Sequence, residues 1–200
     1  MALRLLLGTK NQGKIREVRE VLGSLPSLTF VTGQEVPFSS VVEDGSTYSE
    51  NATKKASQIS KEVGLPVLAE DSGLEVKALG GSPGIHSARY AGPDASDTAN
   101  INKLLAELKG VEEREARFVS VVTIYISEDR IYSEEGFMEG WIERKPRGKS
   151  GFGYDPVFVP QGYERTLAQL GPEVKNRISH RRKALEKLKS KLENEASELS

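Results

Sequence analysis

Leu3-Arg4-Leu5-Leu6-Leu7-Gly8-Thr9-Lys10-Asn11-Gln12-Gly13-Lys14-Ile15 joins an apolar run to a Gly-rich turn and a helical pattern. Ala2 to Leu7 reads as a buried strand, and Ile15, Val18 and Leu22 recur at helical spacing after the turn. A strand, a Gly-rich turn and a helix start aim backbone N–H groups and a lysine at one point, which suits a phosphate. Residues 8–14 also satisfy G-x-x-x-x-G-K, but Ile15 follows where the P-loop needs a Ser or Thr hydroxyl for Mg²⁺. The chain thus opens on a phosphate site that is not a P-loop.

Working outward, Leu28 to Val31 reads as a short strand and Gly33 to Gly45 as an irregular acidic loop. Thr47-Tyr48-Ser49-Glu50 has the capping-box form, opening a helix to about Val63 that Gly64-Leu65-Pro66 ends. The strand Val67 to Ala69 runs into Glu70-Asp71-Ser72-Gly73, and Leu74 to Val76 continues as strand. A turn-rich loop at Gly80 to Gly84 precedes a third helix over about Ser96 to Leu108. Ala116 to Ile126 and Arg130 to Ile142 are β-rich runs around Glu128-Asp129, a hairpin pattern with Trp141 read as core. A second Gly-rich loop, Gly148 to Gly153, leads to a strand at Pro156 to Val159. From Glu173 the chain is helical, with Leu185, Leu188 and Leu192 as an apolar stripe suited to its own core, with a partner's surface as the alternative. This order implies an α/β fold around a mixed sheet, one domain over 1–200 in which the hairpin of about 116–142 protrudes as a second lobe.

The chain has 200 residues, no Cys and a formal net charge of -1. Disulfides, Cys-ligated metals and thiol catalysis are excluded, and no global charge draws it to nucleic acid or acidic lipid. No apolar run approaches a membrane span, and Met1-Ala2-Leu3-Arg4 leads straight into a strand pattern, so a soluble cytoplasmic protein is expected.

Three constellations carry chemistry. Glu70-Asp71 sit where an apolar strand meets Ser72-Gly73, and ligand sites of open α/β sheets gather at such ends. Asp there suits Mg²⁺ or an attacking water and Ser72 a phosphate oxygen, while a plain Asp-Ser-Gly turn fits the pattern equally well. The acidic loop adds Glu43-Asp44 as hard oxygen donors. In Gly151-Phe152-Gly153-Tyr154-Asp155-Pro156, glycines let a flat ring approach the backbone and Phe152 stack on it; packing of Phe152 in the core is the alternative. Ser179-His180-Arg181, preceded by Lys175, offers donors to a base or a phosphate, against a solvated helix face in a charged tail.

Six stretches together resemble one family, the inosine/xanthosine triphosphate pyrophosphatases. They are Thr9-x-Asn11-x-x-Lys14, Glu50-Asn51-Ala52, Asp71-Ser72-Gly73-Leu74, Gly81-x-Pro83-Gly84-Ile85 with Ser87-Ala88-Arg89-Tyr90, Gly151 to Pro156, and Ser179-His180-Arg181. The resemblance implies a long mixed sheet with flanking helices, two lobes around a nucleotide cleft, and a homodimer. It implies that Thr9, Lys10, Asn11, Gln12, Gly13 and Lys14 bind the triphosphate, with Lys55 and Ser72 supporting it. Glu43 and Asp71 hold Mg²⁺, and Asp71 is the general base. Phe152, Gly153, Tyr154, Asp155, Lys175, His180 and Arg181 enclose and read the base. The chain departs from the family at Lys10, usually Gly, and at Glu70, often Asp. Such an enzyme hydrolyses dITP, ITP and XTP to monophosphate and pyrophosphate, cleansing the nucleotide pool. A P-loop phosphotransferase, a pyrophosphatase for pyrimidine or modified nucleotides and a nucleic-acid-binding module are the rival readings. Ile15 opposes the first, Phe152 with His180-Arg181 the second, and the net charge of -1 the third.

Overall fold

In a computed structural model of the chain, which describes residues 2–198, a seven-stranded sheet organises the fold. The elements run β1 (Leu3–Leu7), α1 (Gln12–Leu22), β2 (Leu28–Val31), α2 (Tyr48–Val63), β3 (Val67–Val76), β4 (Pro83–Gly84) and α3 (Asp97–Glu107). They continue as β5 (Glu115–Ser127), β6 (Arg130–Ile142), β7 (Phe158–Pro160), α4 (Leu167–Leu170), α5 (Pro172–Ile178) and α6 (His180–Glu198). The strand order is β2-β1-β3-β5-β6-β7, with β4 beside β3. β2 and β3 lie parallel to β1, whereas β4 and β7 are antiparallel to their neighbours. The sheet is mixed, as the element order implies, and α1 and α2 are the crossovers that parallel neighbours require.

The described chain divides into two compact units, one of residues 2–71, 120–136 and 181–198, the other of 72–119 and 137–180. In the first unit β1 is buried on both faces, which is why its sequence is a continuous apolar run and not an alternating one. Leu5 and Leu7 join Ile15, Val18 and Leu22 of α1 and Leu185 and Leu188 of α6. Leu6 faces the other way, into a cluster with Ala56 and Ile59 of α2. The leucine stripe of α6 is therefore core of its own chain: Leu185 and Leu188 are fully buried and Leu192 packs against the same cluster. The second unit has its own core, built on Leu74, Leu104, Phe118, Ile142 and Phe158.

Several elements depart from the sequence expectation. Glu70-Asp71-Ser72-Gly73 is no turn: β3 runs unbroken for 10 residues through it, so Asp71 sits mid-strand. The hairpin is present as two 13-residue strands, which take interior places in the strand order. Trp141 is not core; it is 38% exposed, because the two-residue period of β6 turns Met138 and Ile142 inward and Trp141 outward. The last strand begins at Phe158, after a turn over Gly153 to Val157. The C-terminal helical run is two helices broken at Ser179, whose extended backbone (ψ 149°) interrupts the α-helical path.

Candidate functional site

In the first unit the Gly-rich turn is organised by its own side chains. Asn11 is the N-cap of α1, and its Oδ1 accepts from the amides of Gly13 at 2.8 Å and Lys14 at 3.2 Å. Thr9 Oγ1 accepts from the Asn11 amide at 3.2 Å. The amides of Asn11, Gly13 and Lys14 are thus satisfied internally, and the turn is pre-shaped. Lys10 and Gln12 are exposed, with Lys10 Nζ 5.7 Å from the centre of the Phe38 ring. Ile15 is buried in the core, as a residue with no metal-binding duty can be.

Lys14 turns towards β3, its Nζ 3.6 Å from Glu70 Oε2. Burial lowers its pKa from the usual lysine value; the Glu70 carboxylate opposes that shift and Arg181 adds to it. Glu70 also accepts from Ser120 Oγ at 2.9 Å and from Arg181 Nε at 2.6 Å. Arg181 Nη1 reaches Glu17 Oε1 at 3.0 Å, so this guanidinium, 2% exposed, is held by two carboxylates. Burial works against its charge, but Glu70 and Glu17 outweigh that and raise its pKa. The solvated-tail reading of Ser179-His180-Arg181 fails, since all three are buried. The structure gives Arg181 to α1 and β3 as an ionic brace.

One face of α2 arranges the acidic groups. Asn51 and Lys55, one turn apart, project from the same side of the helix. Asn51 Nδ2 donates to Asp71 Oδ2 at 2.9 Å, and Lys55 Nζ to Glu43 Oε1 at 2.7 Å. Asn51 Oδ1 also accepts from the Gly45 amide at 2.8 Å, and Lys54 pairs with Asp44. The acidic loop, which has no secondary structure, is thereby tied to α2, and its Glu43 lies along the face that holds Asp71. Among the described residues no three His, Cys, Asp or Glu side chains gather as a metal site. Mg²⁺ commonly takes only one or two protein carboxylates, with substrate phosphates and water completing its shell. The pair Glu43 and Asp71 fits that donor set.

In the second unit the loop before β7 is equally ordered. Lys175 Nζ pairs with Asp155 Oδ2 at 2.5 Å and stands 3.9 Å from the centre of the Phe152 ring. Asp155 and Lys175 are buried, while Phe152 is 46% exposed and so is not the core residue its alternative reading made it. The same Asp155 oxygen accepts from the Phe152 amide at 3.0 Å. Gly151 has φ 85°, and a Cβ there would overlap the Asp155 carboxylate, so this position admits only glycine. Gly153 N–H donates to Asp97 Oδ2 at 2.6 Å, and the buried Tyr154 donates its hydroxyl to Ser87 O at 2.9 Å. His180 stacks on Phe118, centroids 5.0 Å apart and planes 12° from parallel. Ser72 is half-buried on β3.

The candidate residues fall into two groups, Thr9 to Lys14, Glu43, Lys55, Asp71 and Arg181 in one unit and Ser72, Phe152 to Asp155, Lys175 and His180 in the other. The partners that hold them are Asn51, Glu70, Glu17 and Asp97; the sequence motifs contained Asn51 and Glu70 without assigning them that role, and did not include Glu17 or Asp97. Asn51 had a usable signal, its four-residue spacing from Lys55 on a helix; the others are paired only by tertiary contacts.

The family model described as the Ham1 family matches residues 5–191. The chain is 50% identical over 181 residues to the dITP/XTP pyrophosphatase of Syntrophobacter fumaroxidans, covering 90% of this chain and 78% of that one. It is 45% identical over 186 residues to the dITP/XTP pyrophosphatase of Desulfotalea psychrophila, covering 93% and 83%. It superposes on the solved structure of a HAM1 protein from Coxiella burnetii with a TM-score of 0.89 at 41% identity, covering 96% of this chain and 99% of that one.

Proposed function

Because the chain belongs to the Ham1 family, we propose that it hydrolyses non-standard purine nucleoside triphosphates such as dITP, ITP and XTP to the monophosphate and pyrophosphate. The dITP/XTP pyrophosphatases it resembles over most of its length support this substrate class. The observation that carries the mechanism is the fixed carboxylate of Asp71, buried mid-strand on the amide of Asn51. A general base must be held in one geometry while it takes a proton from water, and β3 and α2 together supply that.

The residues then divide the work. Asp71 accepts the proton of the water that attacks the α-phosphorus. Lys14, on the pre-shaped turn from Thr9 to Lys14, is placed to meet negative charge on the leaving pyrophosphate. Lys55 and Ser72 support the phosphates, and Lys55 leaves Glu43 to do so. Glu43 and Asp71 would hold Mg²⁺. Bound there, Mg²⁺ would neutralise phosphate charge and acidify water.

For the second unit, the exposed Phe152 ring is the surface on which a purine stacks, and Lys175 and His180 are the donors to a 6-oxo group. Adenine presents an amino group there, donor against donor, and a buried hydrogen-bonding site rejects such a mismatch by about 10⁴-fold. Arg181 contributes through its brace. The family resemblance extends the proposal to a homodimer acting in the cytoplasm; among the described residues no helix is long and apolar enough to cross a membrane.

The test is a panel of dITP, ITP, XTP, GTP and ATP with Mg²⁺, reading pyrophosphate and the monophosphate. Rapid release from the first three and slow release from ATP is the expected result. Equal rates on ATP, or a diphosphate product, would defeat the proposal.

A further inference from the structure

Asn51 is 1% exposed, and both ends of its amide are in use. Its Nδ2 donates to Asp71 Oδ2 at 2.9 Å and its Oδ1 accepts from the Gly45 amide at 2.8 Å. We propose that Asn51 is a positioning residue for the hydrolysis, setting the orientation of the Asp71 carboxylate and tying the Glu43 loop to the same face of α2. The inference rests on the reading of Asp71 as general base.

The chemistry follows from what an amide does and a carboxylate or alkyl group does not. A carboxylate on a strand can rotate about its Cβ–Cγ bond, exchanging its two oxygens and their lone-pair directions. A donor fixed on Oδ2 removes that freedom and sets the directions of the carboxylate's lone pairs. Asn51 is itself fixed, because the first turn of α2 places it and Gly45 N–H determines which end of the amide is oxygen. The space is tight as well: a Cβ on Gly45 would come within 2.8 Å of Asn51 Oδ1 and 2.9 Å of Glu50 Cβ. The loop that carries Glu43 therefore approaches α2 at glycine distance, with Asn51 as its anchor. Lys55, one turn on, holds Glu43 itself at 2.7 Å. One helix face thus sets the carboxylate that takes the proton and the loop that carries the other acid.

Two substitutions separate the bonds. Asn51→Asp keeps an acceptor for the Gly45 amide and replaces the donor to Asp71 by a second acidic group; Asn51→Leu removes both bonds at similar volume without adding charge, so the fall in kcat must appear in both variants. Initial rates of pyrophosphate release from dITP at saturating Mg²⁺ give kcat and KM, with circular dichroism melts confirming the fold and Asp71→Asn run in parallel. A misoriented base is expected to lower kcat by about 100-fold in both variants while KM moves less than about threefold. A merely structural asparagine would lower the melting temperature and leave kcat of the folded fraction intact. If either folded variant turns over within about threefold of the unaltered enzyme while Asp71→Asn is inactive, the positioning role is overturned and the base assignment stands. Should Asp71→Asn itself retain near-normal turnover, the base assignment fails and the positioning role fails with it.

Discussion

Lys14 is a charge kept in an environment that disfavours it. Burial lowers its pKa, so the free enzyme loses this ammonium at a lower pH than an ordinary lysine would. The sign follows directly: kcat/KM, which reports the free enzyme, falls on the alkaline side as pH rises through that lowered value. Lys14→Arg keeps the charge at every accessible pH, so the alkaline limb should move upward in a pH–rate profile, with some loss of absolute rate from altered geometry. Asp71→Asn should leave nucleotide binding measurable by calorimetry and reduce turnover at least about 10³-fold, the scale of general-base catalysis. Arg181 is the third single residue with a large expected effect. Replacing it with Met takes the guanidinium away from the buried acids Glu17 and Glu70, which costs about 3–5 kcal/mol in urea unfolding.

Helix α2 is the element on which the first unit's acidic groups depend, since Asn51 and Lys55 both project from it. Its ends are set by the chain alone. Thr47 caps the start by accepting from the Glu50 amide at 3.1 Å, and Glu50 reaches one residue further back than a capping box requires, to the Ser46 amide at 2.7 Å. Gly64 ends the helix with φ 69°. Thr47→Ala should cost about 1 kcal/mol, visible as a lower melting temperature. Gly64→Ala forces a Cβ into the left-handed region at about 1–2 kcal/mol. β3 teaches the opposite lesson: Asp71-Ser72-Gly73 is a turn by local preference, yet it is strand, within a β3 that pairs with β1 at Val67 and Leu68 and with β4 at Leu74 and Glu75.

At the scale of the molecule, each unit has its own apolar core, and α6 closes the first with Leu185 and Leu188 fully buried. Leu188→Ala should therefore cost about 2–5 kcal/mol in urea unfolding, from lost burial and the cavity left behind, and should leave the oligomeric state seen by light scattering unchanged. An apolar stripe serving a partner subunit would give the reverse. Much of this was legible beforehand, because hydrophobic period and glycine placement are local: β1, α1, β2 and α3 lie close to where the pattern put them. The stretch from Leu3 to Ile15 likewise read as the strand, turn and helix start that the structure shows, with Ile15 in the core. Burial was less legible. Trp141 was misread because an apolar side chain does not say which face of a strand it occupies, and Arg181 because a charged run does not say that two distant acids await it. The sequence by itself determined the elements, the mixed α/β order and the residue types a phosphate, a metal and a base require. Only the tertiary structure decided which partner holds each of them, because Asn51 meets Asp71, and Arg181 meets Glu17 and Glu70, across long stretches of chain, where no local pattern specifies a pair.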